Sequence, residues 1–255
     1  MYILKFRKDL LLMSSLLFAL SLLFSCKKDS PEPTQGSSST LVESILTFKH
    51  KVDGQPIDFD TVKYTNFFGN TFSVETLRYF ISNVMLINSL GETINIQDVI
   101  YVDAREEEHS QFKLITTIPN GNYTAMRFTF GLDSVMNQTG LFNNFPEAAM
   151  EWPMMMGGGY HYMKLEGRCE IEDSYNHFNF HTGPLNKNKN YFNVEIPMNL
   201  DVANGSFDVA LVMEIQNWFQ NPNTFDLTTI SQGMMGDQVK QQLVKENGND
   251  VFSIE

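Results

Sequence analysis

Cysteine is nearly absent from this chain. Two cysteines in 255 residues are too few for a disulfide-stapled scaffold or a Cys-rich zinc module. Cations are also scarce, with 18 Lys and Arg against 30 Asp and Glu and a formal net charge of −12. A surface of that sign does not hold a phosphate backbone, so a nucleic-acid partner is excluded. Lys, Glu, Arg and Ala are too thin for a coiled coil, and 42% hydrophobic with 13% aromatic residues is too rich for disorder. Catalytic signatures are missing as well. The chain has no G-x-S-x-G elbow, H-E-x-x-H, P-loop, EF-hand loop or G-x-G-x-x-G. No catalytic residue is assigned, and the chain reads as a non-enzyme.

Long hydrophobic runs are limited to one. Residues 10–24 are apolar apart from Ser14, Ser15 and Ser21, and they follow Lys5, Arg7 and Lys8. As a helix, such a run rises about 22 Å, short of the ~20 residues that a bilayer needs. It has the charged and apolar regions of an export signal. Leu23-Phe24-Ser25-Cys26 is similar to a bacterial lipobox, which makes Cys26 the lipidated first residue after cleavage. A stretch rich in Pro, Ser and Thr follows and reads as a tether. The expected organisation is a lipoprotein signal peptide at 1–25, a lipid-anchored flexible linker at 26–41, and a single domain at 42–255. Cleavage removes three cations and one carboxylate, leaving a charge of −14. The expected location is the cell envelope, lipid-anchored in the outer membrane of a diderm bacterium.

The dominant period in the remaining sequence is two. Leu46, Phe48, His50 and Val52 alternate with polar residues, as do Met126, Phe128 and Phe130, then Phe178 and Phe180, then Phe192, Val194 and Ile196. The longest such run is Phe207, Val209, Leu211, Met213 and Ile215. This alternation belongs to antiparallel strands that cover a core with one face. Further strands are expected near 74–88, 94–102, 111–118 and 160–171, separated by turns such as Asp53-Gly54 and Pro119-Asn120-Gly121-Asn122. The fold class is therefore all-β, an antiparallel sandwich or Greek key of roughly nine strands. A C-terminal helix is expected over 237–247, capped by Asp237 and ended by Gly248, with Val239, Leu243 and Val244 facing inward. A short helical turn is expected at Pro146-Glu147-Ala148-Ala149. The irregular stretch 132–159 is expected to fold back over one end of the sandwich, because long apolar loops of this kind are seldom structureless.

Histidine is rare too, at five residues, but His161, His177 and His181 fall close together beside Met154, Met155 and Met156. Imidazole and thioether together suit copper. On one strand, His177 and His181 lie about 13 Å apart, too far to share a mononuclear metal, whereas His50 and His161 come from other strands. Without a metal, an acidic sandwich of this kind is suited to a sugar or a protein partner, with Trp152, Trp218 and Phe219 as contact aromatics. Cys169, alone after lipidation of Cys26, reads as a buried small hydrophobe.

Several segments, taken in order, resemble the MbnP-like family of envelope proteins. They are Phe48-Lys49-His50-Lys51-Val52-Asp53-Gly54, Leu77-Arg78-Tyr79-Phe80-Ile81-Ser82-Asn83-Val84, the stretch ending Phe130-Gly131-Leu132-Asp133, Met150-Glu151-Trp152-Pro153 running into Gly159-Tyr160-His161-Tyr162-Met163-Lys164-Leu165-Glu166-Gly167, and Phe178-Asn179-Phe180-His181-Thr182-Gly183. The resemblance implies a β-sandwich that binds copper outside the cytoplasm. It also implies two histidine ligands and a dihaem cytochrome c peroxidase-like partner that converts a tryptophan to kynurenine. That tryptophan precedes a histidine by two residues on the first strand. The matching pair here is Phe48 and His50, and phenylalanine does not yield kynurenine. Where relatives carry Asn-His, this chain has Asn137-Gln138, so His161 or His181 stands in as the second histidine. The expected copper site is His50 with His181 and His161, with Met154, Met155, Met156, Trp152 and His177 as additional ligands or cover.

Overall fold

The computed structural model describes residues 42–230 and 234–255. The signal, lipidation and tether expected for 1–41 lie outside them. The first strand, β1 (Glu43–Val52), buries Ser44, Leu46, Phe48, His50 and Val52 and turns the intervening residues outward, as the two-residue period requires. It lies in a five-stranded sheet with β2 (Gln55–Pro56), β7 (Gln111–Ile115), β12 (Asp208–Glu214) and β13 (Phe252–Ile254). The second sheet has eight strands. Its continuous path runs β11 (Phe192–Val202), β8 (Gly121–Phe130), β5 (Thr76–Asn88), β9 (Met163–Ile171), β4 (Thr71–Phe72) and β3 (Tyr64–Thr65); β6 (Thr93–Asp103) pairs with β5, and β10 (Ser174–Thr182) with β9. The sandwich expected from the alternation is present, with a core built from the inward residues of both sheets.

Four short strands, β2, β3, β4 and β13, carry too few residues to show a period in the sequence. One pairing departs from the antiparallel rule. β1 runs parallel to β12, with Phe48 opposite Leu211 and His50 opposite Met213. Nearly the whole domain separates these two strands in sequence, so no hairpin constrains their direction.

The eight-stranded sheet is covered on both faces. Leu77, Tyr79 and Ile81 of β5 point into the main core, while Phe80 between them points the other way. There Phe80, Tyr101, Leu132, Met150, Tyr160 and Tyr162 form a second, smaller core. The long 132–162 segment builds it by lying across the outer face of this sheet, not over an end of the sandwich. Its short turns are 3-10 turns, Glu147–Met150 and Met154–Met156.

The C-terminal helix α1 (Gln238–Asn247) begins at Asp237, whose carboxylate accepts from the amides of Val239 and Lys240, and ends at Gly248. Its inward face is the expected one in part. Val244 is buried and Leu243 packs against the core, but Val239 is 69% exposed, and Gln241 and Asn247 are buried instead. The two buried amides bond to backbone: Gln241 donates to the carbonyls of His181 and Met234 and accepts from the Gly183 amide. Asn247 donates to the carbonyls of Trp218 and Asn223. A polar inner face is selected here because the loops beneath it present unpaired carbonyls.

Candidate functional site

The register of β10, β9 and β5 sets up the site. His181 sits opposite Lys164, and Lys164 opposite Arg78. Directly opposed residues share a face, so these three lie on the outer side of the sheet, with Glu166 two residues along. Their neighbours Thr182, Met163 and Tyr79 belong to the inner side. His161 precedes β9, where its amide donates to the Met150 carbonyl at 2.6 Å. The chain there is pinned to the covering segment, and the imidazole turns toward His181. The two rings are 5.1 Å apart between centroids, at 88°.

Hydrogen bonds fix the tautomer of each ring. His161 Nδ1 lies 2.9 Å from the Met150 carbonyl oxygen. A carbonyl only accepts, so Nδ1 carries the proton and Nε2 carries the lone pair. His181 Nε2 lies 2.7 Å from Glu166 Oε1, so Nε2 carries a proton and the neutral form of the ring has its lone pair on Nδ1. Both lone-pair nitrogens, His161 Nε2 and His181 Nδ1, are buried and have no hydrogen-bond partner among the described residues. Buried polar atoms are ordinarily paired, so two orphaned acceptors on adjacent rings ask for an electrophile.

Electrostatics keep the site ready to accept one. Burial, reinforced by the charge of Lys164 and by His181, pushes the His161 imidazole down to about 3, so it is neutral at ordinary pH. The hydrogen bond from His181 holds the Glu166 carboxyl down to about 2, so it stays a carboxylate. Lys164 donates to the Ala149 carbonyl at 2.7 Å, which clamps the covering segment over the pair.

Trp152 closes the site. Its indole meets the His161 ring edge-on at 4.7 Å, is fully buried, and donates through Nε1 to the Met156 carbonyl at 3.3 Å. Gly183 makes this packing possible, because a Cβ there would overlap the indole ring. Of the residues expected as cover, it is this tryptophan that meets a site histidine. Met154 and Met155 are 68% and 89% exposed, and Met154 Sδ accepts from Thr139 at 3.6 Å.

The remaining candidates lie elsewhere. His50 faces the main core, where its Nε2 is 3.0 Å from the Tyr79 hydroxyl. Since Tyr79 and His181 belong to opposite faces of the sheet, His50 and His181 are separated by the sheet itself. His177 is exposed, 3.7 Å from Glu75. Cys169 is buried, and burial lifts its thiol to about 11. The contact surface expected from Trp152, Trp218 and Phe219 is absent, because all three are fully buried. Among the described residues, no group of three or more His, Cys, Asp or Glu side chains is placed to hold a metal ion. Glu166 could not be singled out from sequence, where it was one of many carboxylates; its partner appears only through the β9–β10 register.

No curated protein matches this chain. Among solved structures it is similar in fold to MbnP from Methylosinus trichosporium, with 12% identity, coverage of 84% of this chain and 98% of that one, and a TM-score of 0.55. The family model MbnP matches residues 42–235, a span that holds both histidines, Glu166 and Trp152 and stops short of α1. By that match, over well more than half of its length, the chain belongs to the MbnP family.

Proposed function

We propose that this protein binds copper in the cell envelope, tethered by a lipid on Cys26, and that His161 Nε2 and His181 Nδ1 are the ligand atoms. The observation that carries the reading is the pair of buried lone pairs without partners. Imidazole is a good copper ligand, and metal binding requires it neutral, the state that burial imposes on His161. A structural zinc ion prefers four protein ligands, whereas monovalent copper is content with few, which favours copper at a two-donor site. Glu166 fits the carboxylate–histidine arrangement that orients a ligating ring and raises its basicity. Trp152 and the covering segment keep water out. The metal is held as cargo, and the family supports copper capture or handling as the role.

The test is anaerobic titration of the purified protein with Cu(I) against a competing chelator. One copper per chain is expected; a protein that takes up none sinks the reading. Glu166→Gln keeps the shape but weakens the carboxylate's hold on His181, and it is expected to lower copper affinity by about 10- to 100-fold. Anchoring is tested separately by labelling cells with a radioactive fatty acid. Label should enter the wild type and be lost in Cys26→Ser, and an unlabelled wild type would remove the anchor from the proposal.

A further inference from the structure

A cleft of about 390 Å³ opens beside the covering segment, between Met154 with Gly157, Gly158 and Gly159 and the stretch from Pro184 to Tyr191. Its charge is unlike that of the rest of the protein. No Asp or Glu lines it, although the chain carries 30, and both Lys187 and Lys189 do. Among the described residues, Lys49, Lys51, Lys63, Arg78, Arg105, Lys113, Arg127, Arg168 and Lys240 are ion-paired. Lys164 and Lys245 donate to the carbonyls of Ala149 and Lys189. Lys187 and Lys189 are the two cations left without a side-chain partner among the described residues, and both border this one cleft. In a chain with so many carboxylates, two adjacent unpaired ammonium groups do not arise from a shortage of anions.

The walls define the rest of the ligand. Met154, Pro184 and Tyr191 offer apolar surface. The three glycines, all with left-handed φ of 115°, 70° and 89°, leave the floor free of side chains. The volume is within the ~300–1,000 Å³ range of small-molecule sites. Ammonium groups over a glycine-floored cleft, whose walls are partly apolar and partly the hydroxyls and amides of Ser134, Asn137, Gln138, Thr139 and Asn188, suit a carbon skeleton that bears more than one carboxylate. We infer that this cleft binds an organic polycarboxylate, with Lys187 and Lys189 as its charge partners. The inference does not depend on copper. The cleft does lie next to the metal-site cover: Pro184 follows Gly183, on which the Trp152 ring rests, and the Trp152 indole donates to Met156, beside Gly157.

The experiment is an NMR titration of the metal-free protein with citrate, using inorganic phosphate at matched ionic strength as comparator. Citrate should shift the amides of Gly157, Gly158, Gly159 and Lys187 saturably, at roughly millimolar concentration or below. It should also move the Trp152 indole resonance and leave that of Trp218 in place. Two exposed charge pairs together are worth about tenfold, so Lys187→Gln with Lys189→Gln should weaken citrate by at least that factor. Both lysines are exposed, so the double variant should keep an otherwise unchanged spectrum. Phosphate should bind at least as much more weakly than citrate. No saturable shift with citrate, equal affinity in the double variant, or phosphate binding as tight as citrate would each overturn the inference. Because no metal is present, none of these outcomes bears on the copper reading.

Discussion

His161→Ala and His181→Ala should each lower Cu(I) affinity by about 300-fold, while His50→Gln and His177→Ala should leave it unchanged. Free energies of about 10–16 kcal/mol for four-ligand structural metal sites imply roughly 2.5–4 kcal/mol per ligand, which corresponds to about two to three decades in affinity. The two ligand substitutions act on the same bound ion, so the double variant should lose little beyond the stronger single one. The His50 control separates two arrangements of the same residues. A site built on the first strand, as the sequence resemblance implies, fails with His50→Gln; a site on the outer face of the eight-stranded sheet does not. Competition titrations of the four variants, each checked for an unchanged melting profile, settle the matter. Full affinity in His161→Ala would remove the pair from consideration, and a large loss in His50→Gln would move the site into the core.

The alternation of apolar residues carried the sandwich, because each long strand buries one face and the sequence states which. His161 and His181 could be picked out from their rarity and their neighbourhood. The side of the sheet that each histidine takes was also written in the period of its strand. His50 follows the inward period of β1, Leu46, Phe48, His50 and Val52, and it went inside with them. His181 lies between the inward Phe180 and Thr182 and therefore went outside. That difference could have been read from the period alone, and it argues against grouping His50 with His181. The exposure of Met154 and Met155 and the burial of Trp152 were not legible. They depend on Gly183 leaving room for the indole, a contact between segments about 30 residues apart. The inward face of α1 was misleading for a related reason. Gln241 and Asn247 look like surface residues until the carbonyls beneath them are known.

Acid should destabilise this protein well above the range in which its carboxylates protonate, and His50 should account for about 3 kcal/mol of the loss. Burial pushes the His50 imidazole down to about 4, against a weaker upward pull from Asp103, whereas in the unfolded chain it titrates near 6.5. Between those values the unfolded state binds more protons than the folded one, so stability rises with pH across the window. The contribution is therefore fully present above about pH 6.5 and is lost progressively as pH falls toward 4. His161, held down to about 3, contributes with the same sign. His50 can be isolated from it by substitution. Replacing the imidazole alone would strand the Tyr79 hydroxyl, which lies 3.0 Å from Nε2, at a cost of about 1–3 kcal/mol. The clean comparison is therefore His50→Leu combined with Tyr79→Phe, which removes both polar groups from the core. Urea unfolding at pH 7, 5.5 and 4 should show the wild type losing about 3 kcal/mol more than the double variant between the ends of that range. Parallel pH profiles would mean that His50 is not held neutral by its burial between the sheets.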